Sequence, residues 1–346
     1  MSTAGAVVGL TGATGHIGGL VLRRLLDDPT VAEVRSVARR PLAPLCAVDQ
    51  QGQAVDQRRQ SADDGARPRA RLAHTIADLC DPAVRQALAG VDVLYHLAAQ
   101  VWEGRGRTGR DAMYAANVEG TRNVLQARPA SIVLASSAAV YGAWPDNPLP
   151  LDEDHPVRPN AECHYAVHKL LAEGLCAQEA DRWAVVRLAA VLGPHADARV
   201  ARSVRGFRHA VPAVRGVPQA VQWLDERDAA AGLLAVGRGL LGDYRSGQVA
   251  GQIFNVAPRD WLGARQAARL AGSCVLEVPR WALVAGSELG RRLNLTPFGA
   301  DRAALIGGPL ALSPAKSERL LGWKPARSSA EVFASALGRA PAVVPR

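Results

Sequence analysis

Tyr165 and Lys169 stand four residues apart in Tyr165-Ala166-Val167-His168-Lys169, a spacing that puts both side chains on one face of a helix. A free tyrosine titrates near ~10, so it exchanges protons near neutrality only if a neighbouring cation stabilises its phenolate. Lys169 supplies such a cation. Lysine is scarce in this chain: of 41 basic residues only Lys169, Lys316 and Lys324 are not arginine. With five tyrosines in 346 residues, chance would produce the pair about 0.04 times. An exposed helix pair without a role is the alternative. Ser136-Ser137 closes an apolar run, and the Ser137 hydroxyl can donate to a carbonyl or accept from a hydroxyl. Taken alone, such a pair marks a turn.

A second cluster, Thr11-Gly12-Ala13-Thr14-Gly15-His16-Ile17-Gly18, lies where an apolar run feeds a helical pattern. Glycines there allow a tight turn, close approach of the backbone to a pyrophosphate, and a helix N-terminus facing the anion. An ordinary glycine-rich turn is the alternative. A dinucleotide site that takes NAD(H) places an acidic side chain roughly twenty residues on, at the adenosine ribose. This chain has Arg39-Arg40, which would repel no 2′-phosphate and can bond one. NADP(H) is therefore expected over NAD(H), a chance arginine at a strand end being the alternative. Asp78, in Ala77-Asp78-Leu79, could accept from an adenine amino group or cap a helix. An oxidised nicotinamide would add a further cation beside Tyr165.

The elements that must hold these groups follow from apolar periodicity. A strand at Ala6–Leu10 precedes a helix carrying Ile17, Val21 and Leu25, and further strands fit Glu33–Ala38, Leu72–Ala77, Val91–Leu97, Ser131–Ser136 and Trp183–Leu188. Amphipathic stretches at Met113–Gln126 and Tyr165–Glu179 separate the later ones. Strands alternating with helices predict an α/β fold, a Rossmann-type doubly wound parallel sheet. Past Gly193-Pro194 the rhythm breaks into a strand-like Val221–Leu224, a helix from Asp228, a strand at Ile253–Val256, a helix opened by Ser313-Pro314 and closed by Gly322, and a Ser328-x-x-Glu331 capping box. The expected division is a dinucleotide-binding domain over 1–188 with elements within 221–258, and a smaller C-terminal substrate lobe over 189–220 and 259–340. Residues 46–71 are polar and poor in apolar side chains, and are expected to be a mobile surface insertion, with a functional lid as the alternative.

Composition narrows the partners. An apolar fraction of 48% and a charged fraction of 21% are those of an ordinary globular protein. No apolar run reaches the ~20 residues that span a bilayer, and MSTAGAVVGLTGATG lacks a basic region before a long apolar stretch. A cytoplasmic protein without membrane contact is expected. The net charge of +9 is spread along the chain and aromatic residues are only 5%, so a phosphorylated small molecule explains it better than nucleic acid. Five scattered cysteines without a C-x-x-C spacing predict neither a disulfide framework nor a metal site, and read as reduced, buried thiols.

TGATGHIG, the Asp78-Leu79 pair, HLAA at His96–Ala99, NVEGT at Asn117–Thr121, SSAAVYG from Ser136, YAVHK at Tyr165–Lys169 and Arg187–Pro194 occur in one order. That order resembles the extended short-chain dehydrogenases/reductases, the epimerase/dehydratase superfamily, over nearly the whole chain. The resemblance implies a Ser137, Tyr165, Lys169 triad: Tyr165 as acid-base, Lys169 holding the nicotinamide ribose and lowering the tyrosine pKa, Ser137 orienting the substrate oxygen. It adds Asn117 as a catalytic candidate. It also implies contact of the cofactor with Gly12, Thr14, Gly15, His16, Ile17, Gly18, Arg39, Arg40, Asp78, Leu79, Leu97, Ala98 and Ala99, and a homodimer paired through the helices near 113–126 and 165–179.

Departures from the family pattern shape the expected activity. Ala138-Ala139 replace the Asp-Glu of sugar 4,6-dehydratases, which disfavours dehydration, and Ala190 replaces an asparagine common in nucleotide-sugar members. Cys163, His164 and His168 around the tyrosine are expected to tune pocket shape. The leading expectation is an NADP(H)-dependent oxidoreductase acting on a ketosugar or secondary-metabolite ketone. A nucleotide-sugar epimerase with retained NAD is the second reading, with Arg202, Arg205, Arg208, Arg215 and Arg227 as diphosphate clamp or merely a solvated basic face. A dinucleotide-sensing binding protein without turnover is the third; the intact Tyr165–Lys169 pair argues against it.

Overall fold

The computed structural model describes residues 5–42, 47–48, 54–55, 69–104, 106–242, 248–293 and 299–339. Seven parallel strands form its main sheet: β1 (Ala6–Thr11), β2 (Val31–Ala38), β3 (Arg71–Ile76), β4 (Val93–His96), β5 (Ile132–Ser137), β6 (Trp183–Leu188) and β7 (Gln252–Val256). Their order is β7-β6-β5-β4-β1-β2-β3. The connections reverse direction at β1, so a crevice opens between the carboxyl ends of β1 and β4, where doubly wound sheets bind ligands.

A parallel sheet must be covered on both faces, which is why its strands read as continuous apolar runs. Helices His16–Leu26 and Glu226–Leu241 bury Val21, Leu22, Leu25 and Leu233 against one face. On the other, helices Ala83–Ala87, Gly120–Leu125 and His164–Glu179 bury Val84, Val124, Ala172 and Leu175. A separate core containing Leu192, Val204, Val211, Leu262 and Phe333 holds the smaller lobe, built on the strand pairs Ala210–Val214 with Cys274–Val278 and Ala190–Leu192 with Trp223–Asp225. Helix Arg280–Arg292 of this lobe has no buried residue, and its Trp281 is 74% exposed. Among the described residues no helix is long and apolar enough to cross a membrane.

Several expectations shift. The helix expected at Met113–Gln126 begins at Gly106, passes through a π-helical turn at Ala115–Glu119 and ends at Leu125. Its early start survives Gly109 because that backbone lies against Gly104, where a Cβ would come within 2.2 Å of a carbonyl carbon; packing overrides propensity. The strand expected at Val221–Leu224 is Trp223–Asp225, and the helix expected from Asp228 starts at Glu226, where the Asp225 side chain accepts from Arg227 N–H at 2.8 Å. The Gly322 stop, in left-handed conformation, and the Ser328–Glu331 capping box stand as expected. Most of 46–71 lies outside the described residues; 47–48 pair antiparallel with 54–55, and Arg71 is the first residue of β3, where it bonds Glu33 at 2.6 Å. Cys163 and Cys176 are buried, whereas Cys80 and Cys274 are exposed thiols, against expectation; all four are free, and Cys46 lies outside the described residues.

Candidate active site

The turn after β1 is closed by a bond from Gly15 N–H to Gly12 O at 2.9 Å. Gly12 adopts a φ of +78°, and a Cβ on Gly18 would sit 2.0 Å from Gly12 O, so both positions exclude a side chain. That packing leaves backbone N–H groups at the helix N-terminus open to the crevice, the arrangement that holds a pyrophosphate.

Every dinucleotide candidate named from the sequence borders one cavity of about 1650 Å³, and Ser137, Tyr165 and Lys169 border it too. Arg39 and Arg40 do so from exposed positions just past the end of β2. Asp78 caps no helix, since the next one starts at Ala83 behind Pro82; its Oδ1 accepts from Cys80 N–H at 3.0 Å within the turn, and the residue borders the cavity. The glycine cradle, the cations past β2, Ser137 at the end of β5 and the Tyr165–Lys169 pair on the helix His164–Glu179 border one space that fits a nicotinamide dinucleotide.

Asn117 does not reach this cavity. It is buried in the π turn, where its amide accepts from Gln100 N–H at 2.7 Å and donates to Gln100 O at 2.9 Å. These two bonds tie it to the loop after β4. The same loop is tied through buried His96. Thr121 donates to Asn117 O, so its oxygen accepts from His96 Nε2, and His96 Nδ1 in turn accepts from Thr11, whose oxygen takes the Ala98 N–H. Burial holds His96 neutral, its pKa down at about 3.

Ser137 ends β5 and caps the turn that follows, its Oγ accepting from Ala139 N–H at 3.2 Å. Tyr165 is the second residue of its helix, with Lys169 Nζ 5.9 Å from its ring centroid. Lys169 is buried and donates to Ala135 O at 2.7 Å, and desolvation brings its pKa down to about 8. Tyr165 is pushed above its ordinary value by burial, and what pulls it back is first the charge of Arg302, then a hydrogen bond with Ser137. Arg302, 5.4 Å from the ring centroid, thus joins Lys169 as a cation beside the phenol and pulls its pKa down.

The frame beneath the site is a buried network. Arg187 pairs with Glu173 at 2.7 Å, Ser136 donates to Glu173 at 2.5 Å, and Tyr141 bonds both Arg187 at 2.9 Å and Asn255 at 3.0 Å. It locks β5, β6, β7 and the Tyr165 helix in register. On the glycine-turn side, buried Glu226 is bonded by His16 and His195, each at 2.6 Å. Burial alone would raise this carboxylate, but those bonds outweigh it and keep its pKa low.

The residues flanking Tyr165 do not shape the pocket as expected. His168 lies edge-on to Tyr114 with centroids 5.4 Å apart, Cys163 is buried against Ala139 and Ala166, His164 bonds Glu103 at 2.7 Å, and none of the three borders the cavity. Ala138, Ala139 and Ala190 do border it. Of the five arginines considered as a clamp only Arg202 does; Arg208 instead donates to Leu337 O. Sequence reading missed Arg302, Glu226 and His195, because each comes from a distant stretch of chain without a local motif.

A glycine-turn cavity at the switch point of a doubly wound sheet, with a tyrosine and lysine one helical turn apart beside it, defines an NAD(P)-dependent enzyme of the short-chain dehydrogenase/reductase type. The family model described as NAD dependent epimerase/dehydratase family matches residues 8–257, and the chain belongs to that family. An uncharacterised protein of Mycobacterium tuberculosis is 26% identical over 341 residues, 94% of this chain and 82% of the relative. Sterol demethylase protein B of Methylococcus capsulatus is 32% identical over 247 residues, 68% of this chain and 67% of the relative. In fold, the chain is similar to dTDP-glucose 4,6-dehydratase of Streptomyces venezuelae, solved with NAD bound, at a TM-score of 0.65 with 21% identity over 96% of each chain.

Proposed function

We propose that the protein is an NADP(H)-dependent oxidoreductase that interconverts a ketone and a secondary alcohol. The observation that carries this reading is that Ser137, Tyr165 and Lys169 border the same cavity as the glycine turn, with only the non-ionisable Ala138 and Ala139 beyond the serine. When bound, the nicotinamide supplies a hydride to the carbonyl carbon, or accepts one from the alcohol carbon. In reduction the C=O π bond breaks as Tyr165 transfers its phenolic proton to the carbonyl oxygen, which the Ser137 hydroxyl orients. In oxidation the Tyr165 phenolate takes the hydroxyl proton. Lys169 would hold the nicotinamide ribose and, with Arg302, favours the phenolate.

Arg39 and Arg40 support NADP(H), since two guanidinium groups and no carboxylate stand just past β2, where a 2′-phosphate would lie. Epimerisation is less well supported, because four of the five arginines considered for a diphosphate clamp lie away from the cavity. Relatives divide by name between a sterol demethylase component and a sugar-nucleotide dehydratase. The cofactor unit takes in 1–188 with helix Glu226–Leu241 and strand Gln252–Val256 from within 221–258, and 189–220 with 259–340 make up the substrate lobe. A cytoplasmic homodimer would pair through the helices at 106–125 and 164–179, which expose Tyr114 and Leu171.

The test is to denature the purified protein, identify any released dinucleotide, and titrate the stripped protein with NADPH and NADH. At least tenfold tighter NADPH binding is expected, with Tyr165→Phe losing about a hundredfold or more of turnover while NADPH affinity stays within threefold. Tightly retained NAD⁺ would move the epimerase to first place, and a fully active Tyr165→Phe would sink the acid-base assignment.

A further inference from the structure

The part of the cavity contributed by the smaller lobe includes a hydrocarbon wall. Trp223, Leu262, Leu283, Leu305 and Ile306 border it, and Leu305 packs in one cluster with Tyr165. Several polar side chains beside them are engaged by the protein, while His195, Asp197 and Ser287 also border the cavity. Gln222 donates to the carbonyls of Pro258 and Leu312 at 2.8 and 2.9 Å and accepts from Leu312 N–H at 2.6 Å. Gln219 donates to Ile306 O at 3.0 Å, and Ser203 to Arg199 O at 2.9 Å. Arg199 and Arg202 border the cavity from exposed positions, and Arg199 lies over the Trp102 ring. At the reacting end Arg302 spreads over the Trp102 and Tyr165 rings and donates to Val101 O, and Lys169 borders the cavity as a second cation.

Such a wall discriminates by chemistry. A sugar or diphosphate pressed against it would give up water without gaining partners, whereas each methylene buried there is favourable. Size permits it: about 1650 Å³ exceeds the ~300–1,000 Å³ of a single drug-sized site, which leaves room for a second molecule beside a dinucleotide. Resting on the oxidoreductase reading, we infer that the substrate is a largely hydrocarbon, ring-bearing ketone or secondary alcohol that carries no diphosphate. Its carbonyl or hydroxyl is placed at Ser137 and Tyr165, and the hydrocarbon of its rings lies against Trp223, Leu262, Leu283, Leu305 and Ile306. The conversion balances as above: hydride between the substrate carbon and the nicotinamide, proton between its oxygen and Tyr165.

The experiment titrates protein carrying NADP⁺ with cyclohexanone, trans-2-decalone and 5α-androstan-3-one, and separately with UDP-glucose, reading the fluorescence of the tryptophans, of which Trp102 and Trp223 border the cavity. Affinity should rise at least about tenfold with each enlargement of the ring system, and UDP-glucose should not saturate. Leu283→Arg should weaken 5α-androstan-3-one binding by about tenfold or more with NADPH affinity unchanged; Ile306→Asp serves equally should the first variant fail to take up NADPH. Equal affinities along the ketone series, or saturable UDP-glucose binding, overturns the inference and leaves the oxidoreductase reading standing. Failure of the native protein to bind NADPH overturns that reading instead.

Discussion

Replacing Lys169 by methionine should stabilise the protein at neutral pH while destroying its activity. The ammonium is buried, and its pKa falls from 10.5 to about 8 because burial penalises the charge. Between those two values the unfolded chain binds a proton that the folded chain has released, so stability rises with pH across that window. The burden is fully present below pH 8 and is relieved as pH approaches 10.5. At 1.36 kcal/mol per unit it amounts to about 3 kcal/mol at pH 7, about 2 at pH 9 and under 1 at pH 10. Methionine fills similar volume without the charge but forfeits the bond to Ala135 O, worth about 1 kcal/mol. Lys169→Met should therefore be more stable than the native protein by about 2 kcal/mol at pH 7 and no more stable at pH 10. Urea midpoints of the two proteins at pH 7, 9 and 10, compared at equal m-value, measure the difference and cancel the other titrating groups. A difference that stays flat across that range, or a variant weaker at pH 7 than at pH 10, would refute the claim that a buried charge is held there against its solvation.

Two further outcomes follow from the surrounding charges. Arg302→Met removes the strongest pull against burial on Tyr165, so the pH midpoint for alcohol oxidation should move up by at least about half a unit; an unchanged midpoint in the pH–rate profile would show that Arg302 does not act on the phenol. Arg187→Met leaves Glu173 buried without its partner and should cost about 3–5 kcal/mol in urea unfolding. Adding Glu173→Leu should recover most of that loss, and a double variant no better than the single would place the cost elsewhere.

The sheet was readable because its causes are local. Val8, Leu10, Val34, Val37, Val93 and Leu94 are all fully buried in strands covered on both faces, and such strands announce themselves as unbroken apolar runs. Its strand boundaries slipped by one or two residues at places where a single residue decides, as at Ser137, which both ends β5 and caps the next turn. The smaller lobe was largely hidden. Its strands pair 210–214 with 274–278, some sixty residues apart, and its helix Arg280–Arg292 buries nothing, so no periodic core face marked either element.

The site divides along the same line. Gly12, Gly18, Tyr165 and Lys169 sit in runs whose spacing is itself the chemistry: a turn that admits no Cβ at two positions, and a proton donor one helical turn from a cation. What tunes them comes from afar. Arg302 reaches Tyr165 across 137 positions, and Glu226 reaches His16 across 210. In a chain with 41 basic residues, nearly all arginine, no pattern distinguishes Arg302 from its neighbours in sequence. Asn117 shows the converse: its motif was legible, yet its amide is consumed by Gln100. A motif therefore fixes where a side chain stands along the chain, and only the hydrogen bonds it makes decide whether it meets the substrate or steadies the loop that does.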